Sequence, residues 1–159
     1  MDPFDPEVRL VERDEALARL RSARVGRIAT VTPDDRPHVV PFVFALVDAA
    51  DGGPRAYWAV DRKPKRSERI QRLRNLEHEP AVEFVVDGYD EDWASLWWVR
   101  ASGTGRVVHT GAERSMALQR LLSKYPRYAA EPPSGPVVAI DIDRISGWEA
   151  SPSHAQPRR

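Results

Sequence analysis

The segment RVGRIATVTPDDRPHVVPF, residues Arg24 to Phe42, sets two apolar, β-branched runs on either side of a short polar interruption. Val25 to Val31 and His38 to Val47 carry the branched and aromatic residues that suit a pleated, half-buried strand. Between them, Pro33-Asp34-Asp35-Arg36 is turn chemistry, because proline presets the backbone and aspartate bonds back to it. The segment reads as a β-hairpin, and the remainder of the chain extends the same β pattern. Arg55 to Val60 is a third strand, reached through the Asp48 to Pro54 loop with its Gly52-Gly53 pair. Ala81 to Asp87 and Ser95 to Ser102 form a further pair around the acidic Gly88 to Asp92 loop. Thr104 to His109, Val137 to Ile142 and Ile145 to Trp148 extend the sheet.

Three helices accompany these strands. Asp14 to about Ala23 has acids at its start, Arg21 and Arg24 at its end, and Ala16, Leu17 and Leu20 on one face. A second starts near Pro64 or Ser67 and stops before Pro80, with Ile70, Leu73 and Leu76 at helical spacing. In the third, Leu118, Leu121, Leu122 and Tyr125 recur at i, i+3, i+4 and i+7, a single buried stripe. Pro126 to Pro136 reads as a connection only. Six or seven strands with three helices, and no strand–helix alternation, predict a mainly β fold: a small antiparallel barrel with flanking helices.

At 159 residues the chain is the size of one domain, assigned to residues 1–150, with 1–12 and 151–159 as loosely held tails. Lys plus Arg and Asp plus Glu both number 24, so no global field draws the protein to nucleic acid or an anionic membrane. Absence of cysteine removes disulfides and thiolate chemistry and fits a reducing cytosol. The N-terminal residues have no signal-peptide pattern and no apolar run reaches membrane-spanning length, so a cytoplasmic location is expected.

The charge is nevertheless uneven. Trp58 to Asn75 reads WAVDRKPKRSERIQRLRN, a strand end that enters a cationic cluster and then a helix. A helix start carries partial positive charge, so Arg62, Lys63, Lys65 and Arg66 repel it unless an anion sits among them. The local sequence leaves two readings open: an anion site, or a solvated basic turn. Catalytic signatures are missing elsewhere. Gly103-Thr104-Gly105 lacks the third glycine of a dinucleotide fingerprint and reads as a bend or bulge. No serine sits in a nucleophile elbow. His38, His78, His109 and His154 have no ligand spacing, and the acidic loop lacks the pattern of a calcium site. On the strand Leu96 to Arg100, Trp97 and Trp98 point to opposite faces, so one packs inward while the other meets a groove or a partner.

Taken in order, RVGRIATVTPDDRPHVVPF (24–42), YWAVDRKPKR (57–66), RLRNLEHEP (72–80) and WWVRASG (97–103) resemble the pyridoxamine-phosphate-oxidase-like split-barrel superfamily. Within it the chain is similar to the coenzyme F420-dependent (deazaflavin-dependent) oxidoreductase branch. The resemblance spans residues 14 to 148. It implies a six-stranded antiparallel split β-barrel of the FMN-binding type, forming a homodimer with two cofactor sites at the subunit interface. By that resemblance, His38, Val39, Val40, Pro41 and Phe42 line the tricyclic ring, and Trp58, Ala59, Val60 and Asp61 flank it. Arg62, Lys63, Lys65 and Arg66 hold the cofactor phosphate, while Trp98 and Arg100 approach from the partner subunit. A glutamine common among oxidase relatives at the Trp98 position is absent, which argues against pyridoxamine phosphate oxidation.

No catalytic dyad is needed, since the cofactor carries the hydride chemistry. Seven basic residues from Arg62 to Arg74 suit the longer acidic tail of reduced F420, although Arg69, Arg72 and Arg74 also read as a solvated helix face. The expectation is hydride transfer to a small electron-poor substrate. The alternatives are FMN on the same fold, or a non-enzymatic carrier of F420 or haem. Zero net charge disfavours a nucleic-acid module.

Overall fold

The computed structural model describes residues 8–60 and 66–150, with side chains for 9–60 and 71–150. The chain order is β1 (Val8–Leu10), α1 (Arg13–Ser22), β2 (Gly26–Val31), β3 (Pro37–Phe42), β4 (Ala45–Asp48), β5 (Pro54–Ala59) and α2 (Arg66–His78). It continues with β6 (Ala81–Gly88), a single 3-10 turn at Trp93–Ser95, β7 (Trp97–Val108), α3 (Ala112–Lys124), α4 (Pro126–Ala130) and β8 (Val137–Ala150). All strand pairs are antiparallel, in the order β3-β2-β6-β7-β8-β5-β4, with β1 added on β8.

The mainly β class with flanking helices stands, but the barrel has eight strands among the described residues rather than six, and its ladder is not closed. Two features add strands to those expected. The His38 to Val47 run divides at Val43-Phe44, where the Phe44 N–H donates to the Tyr125 hydroxyl at 3.2 Å rather than to a strand. Val8–Leu10, within the stretch expected to be loosely held, pairs with Trp148–Ala150. Conversely, β7 and β8 each join two expected strands into one. The ladder between them absorbs the interruption as a bulge between Ser102 and Gly103, in keeping with the glycine pattern there. The Pro126 to Pro136 connection also contains α4, with its proline at the first turn, where a missing N–H costs nothing.

The principal core lies inside the barrel. Ile28, Phe42, Phe44, Phe84, Val86, Val99, Ala101 and Ile140 are buried there, and Ala16 and Leu20 of α1 close one side. On α2, Leu76 packs against Gly105 of β7, while the fully buried Asn75 donates to Thr30 Oγ1 at 2.8 Å and accepts from Gln71 at 2.7 Å. Those bonds offset the cost of burying an amide and fix the helix on β2.

α3 is fixed electrostatically at one end. Glu113 in its first turn accepts two bonds from Arg106, at 2.6 and 2.8 Å, and one from the Tyr57 hydroxyl at 2.8 Å. Arg106 and Arg55 also share Asp141. The bidentate Arg106 guanidinium holds the Glu113 carboxyl down to about 2 despite burial, with the Tyr57 bond adding to the effect. Folding therefore favours the ionised form: its contribution is fully present above the ordinary value of 4.5 and is lost as pH falls from there toward about 2. Glu113→Gln should lower stability near pH 7 by about 1 kcal/mol, because partial exposure screens the pairs. Urea melts across pH 2 to 5 should show a shallower acid loss in the variant; parallel curves would contradict this assignment.

Candidate functional site

Two incomplete sheet edges meet at one place. β3 pairs only with β2, so its other side is open. Pro37 and Pro41 have no N–H to give, hence they cannot sit in the hydrogen-bonded pairs of the β2–β3 ladder. By alternation, the backbone groups of Pro37, Val39 and Pro41 face away from β2. That edge offers a single donor, the Val39 N–H, among three carbonyls. On the other side, β4 reaches only as far as the Ala45–Tyr57 pair, and beyond it Trp58 and Ala59 have a ladder partner in β8 alone.

A cavity of about 360 Å³ lies between these edges. Pro41, Phe42 and Val43 form one wall, Trp58 and Ala59 another, and Val25 the rim; Arg72 from α2 and Tyr128 from α4 complete it. The base is rigid. Phe42 stacks on Phe44 at 4.9 Å and meets Trp58 and Phe84 edge-on at 5.9 and 5.4 Å. Arg72 holds its guanidinium 5.5 Å from the Trp58 ring centroid, the one described cation on the cavity wall. The floor is therefore apolar and aromatic, with a positive group on one side.

The corner beside the cavity is held by Tyr125. Its hydroxyl is 2.9 Å from the carbonyls of both Arg24 and Phe44, and it accepts the Phe44 N–H. Lys124 Nζ donates to the same Phe44 carbonyl at 2.9 Å. Burial and the neighbouring Arg24 charge push the Lys124 ammonium down to about 8. At the β5 end, Val60 N–H donates to Pro136 at 2.9 Å, and a Cβ on Gly135 would lie 2.1 Å from the Val60 carbonyl. Glycine is thus required for this approach, and Arg114 caps the Gly135 carbonyl at 2.9 Å.

Of the residues expected at the site, the structure brings together Pro41, Phe42 and Trp58 on the cavity wall, with Ala59 beside them. Val39 lies on the outer face of the edge strand, 60% exposed. His38 points inward opposite Thr30, and its Nδ1 is buried without a hydrogen-bond partner. Val60 is half-buried just beyond the cavity. Trp98 and Arg100 lie on the outer sheet face, with the Arg100 guanidinium 5.7 Å from the Trp98 ring, and neither lines the cavity within one chain. Asp61, Arg62, Lys63 and Lys65 lie outside the described residues, as does the side chain of Arg66, the first residue of α2.

Sequence does not single out Arg72 or Tyr128. Arg72 reads as part of a solvated helix face, and only the docking of Asn75 and Leu76 turns its side of α2 toward Trp58. Among the described residues no group of three His, Asp or Glu side chains could hold a metal, and no helix is long and apolar enough to cross a membrane.

Comparison with known proteins agrees with this architecture. No curated protein matches the chain. A protein of unknown function from Corynebacterium diphtheriae superposes with a TM-score of 0.69 at 26% identity, over 92% of this chain and 99% of that one. A hypothetical protein from Mycobacterium tuberculosis gives 0.68 at 21% identity, over 87% and 85%, and so shares the fold. A FAD-binding protein from Mesorhizobium loti gives 0.59 at 25% identity, over 91% and 99%. The Pyridoxamine 5'-phosphate oxidase family matches residues 13–149, nearly the whole described chain, and the protein belongs to that family.

Proposed function

We propose that the protein is an oxidoreductase that binds a flavin-type cofactor, reduced coenzyme F420 in preference to FMN, and serves hydride transfer to a small electron-poor acceptor. The observation that carries this reading is the cavity between the β3 and β5 edges. It has aromatic walls at Phe42 and Trp58 and a cation at Arg72, and the open β3 edge, with its one donor at Val39, runs on from Pro41 at its border. A tricyclic ring with an alternating donor and acceptor edge fits such a surface. The FAD-binding relative from Mesorhizobium loti lends support to the flavin type.

When bound, the reduced ring supplies the hydride, and the protein supplies orientation, burial and electrostatics. Val39 and Pro41 would orient the polar ring edge through their backbone groups. Phe42, Trp58 and Tyr128 would exclude water. Arg72 would hold negative charge, together with the basic residues 62–66, whose number supports a cofactor with an acidic tail over FMN.

Arg72→Ala should weaken cofactor binding about tenfold or more, the loss of one charge-assisted contact worth about 1.5 to 3 kcal/mol. Calorimetric titration of the purified chain with F420 and with FMN reads this directly. Equal affinity in the variant would remove Arg72 from the site, and tighter retention of FMN would overturn the choice of F420.

The outer sheet face supports a homodimer. Leu10, 75% exposed, pairs with Trp148, which pairs in turn with half-buried Trp98, so the three form an apolar cross-strand row suited to burial against a second copy. Such a copy would bring its own Trp98 and Arg100 to this cavity. Trp98→Glu should yield a chain of monomeric mass in light scattering that no longer retains cofactor. A monomeric parent protein that binds cofactor fully would refute the shared site.

A further inference from the structure

A second groove, of about 560 Å³, opens between the end of α1, the start of β2 and the turn after β6. It meets the cavity described above at Val25, which lines both. One wall is aromatic. Trp97 carries the Arg19 guanidinium 4.8 Å from its ring centroid, and Tyr89 is 62% exposed. Gly88 makes room for this wall: a Cβ there would stand 2.3 Å from Trp97 Nε1.

The other wall is cationic. Arg27 donates to Asp87 at 2.6 Å, and Arg24 donates to the Lys124 carbonyl at 2.7 Å while stacking on Tyr125. Each guanidinium has five N–H donors in a fixed fork, so these bonds leave donors on both. Arg19 spends one terminal nitrogen on Glu15 and Glu149, and its other, Nη1, is buried without a hydrogen-bond partner. Asp87 is the single carboxylate of the groove lining and pairs with Arg27; Arg19 is met by Glu15 and Glu149 outside the lining, and Arg24 has no carboxylate within it. A surface with a stacking wall and guanidinium forks selects a planar ligand bearing a carboxylate, since a fork pairs with two oxygens at once.

We propose that this groove binds planar conjugated carboxylates and forms the substrate side of the site. The assignment as substrate side rests on the reading of the neighbouring cavity as a cofactor site; the binding itself does not. Asp87 is the built-in competitor, since it holds the Arg27 guanidinium that the ligand would take.

The test is titration of the full chain, without and with cofactor, using trans-cinnamate and its neutral amide as probes. Cinnamate should bind at least tenfold more tightly than cinnamamide. Arg27→Gln, a change at an exposed side chain, should abolish most of that preference, and Arg24→Gln should reduce it. Asp87→Asn should instead strengthen cinnamate binding, an effect that loss of folding could not mimic. Equal binding of acid and amide, or cinnamate affinity unchanged in all three variants, would overturn the proposal. If cinnamate binds as expected but neither F420 nor FMN does, the groove stands as a carboxylate site and the cofactor reading falls. If a cofactor binds and cinnamate does not, the groove assignment alone fails.

Discussion

Packing among four rings, Phe42, Phe44, Phe84 and Trp58, is the constraint on which the rest of this structure depends. The sheet ends at β3 and β4, and no backbone ladder joins those edges among the described residues. Side-chain packing across the gap brings the end of β3 to the end of β5. Removing a buried ring of this size typically costs about 3 to 5 kcal/mol, more than any exposed ion pair here could return. The cavity is a consequence of the same arrangement. It occupies the place where the ladder stops, so its walls combine packed aromatic faces with backbone groups that no neighbouring strand uses. A ligand at that position would complete what the sheet leaves open.

Charge is distributed to match. Over much of the surface arginines are paired: Arg9 and Arg19 with Glu15 and Glu149, Arg21 with Asp48, Arg55 with Asp51 and Asp141. The overall neutrality of the chain thus arises largely from local pairing, which contributes little field at a distance. The basic run from Arg62 to Arg74 lacks acids in comparable number, with Glu68 alone among its cations. Of that run, Arg72 stands on the wall of the open aromatic cavity, where a phosphate-bearing ring would use its charge.

Much of the fold is legible in the sequence because it rests on local rules. The hairpin around Pro33 to Arg36, the three long helices and the bulge near Gly103 arise from turn residues, helical spacing and glycine placement. The features that escape depend on distant partners. The division between β3 and β4 at Phe44 is made by Tyr125, far along the chain, whose hydroxyl replaces a strand as the acceptor of the Phe44 N–H. Joining of the two segments of β7, and of β8, depends on each serving as the other's template through the bulge. In the site, Pro41, Phe42 and Trp58 are reached through family resemblance. Arg72 is not separable by sequence from Arg69 and Arg74, because the face of α2 that meets the barrel is chosen by Asn75 and Leu76 meeting Thr30 and Gly105. Tyr128 belongs to a helix that a proline-rich sequence conceals.

The proposed function requires a tricyclic ring bound between the open ends of β3 and β5. A crystal structure of the protein grown with F420, and a second with FMN, tests it most directly. Ring density is expected against Phe42 and Trp58, with its polar edge on the backbone of Val39 and Pro41 and a negative group within hydrogen-bond distance of Arg72. Density for either cofactor at another place on the molecule, with this cavity filled only by water, would contradict it.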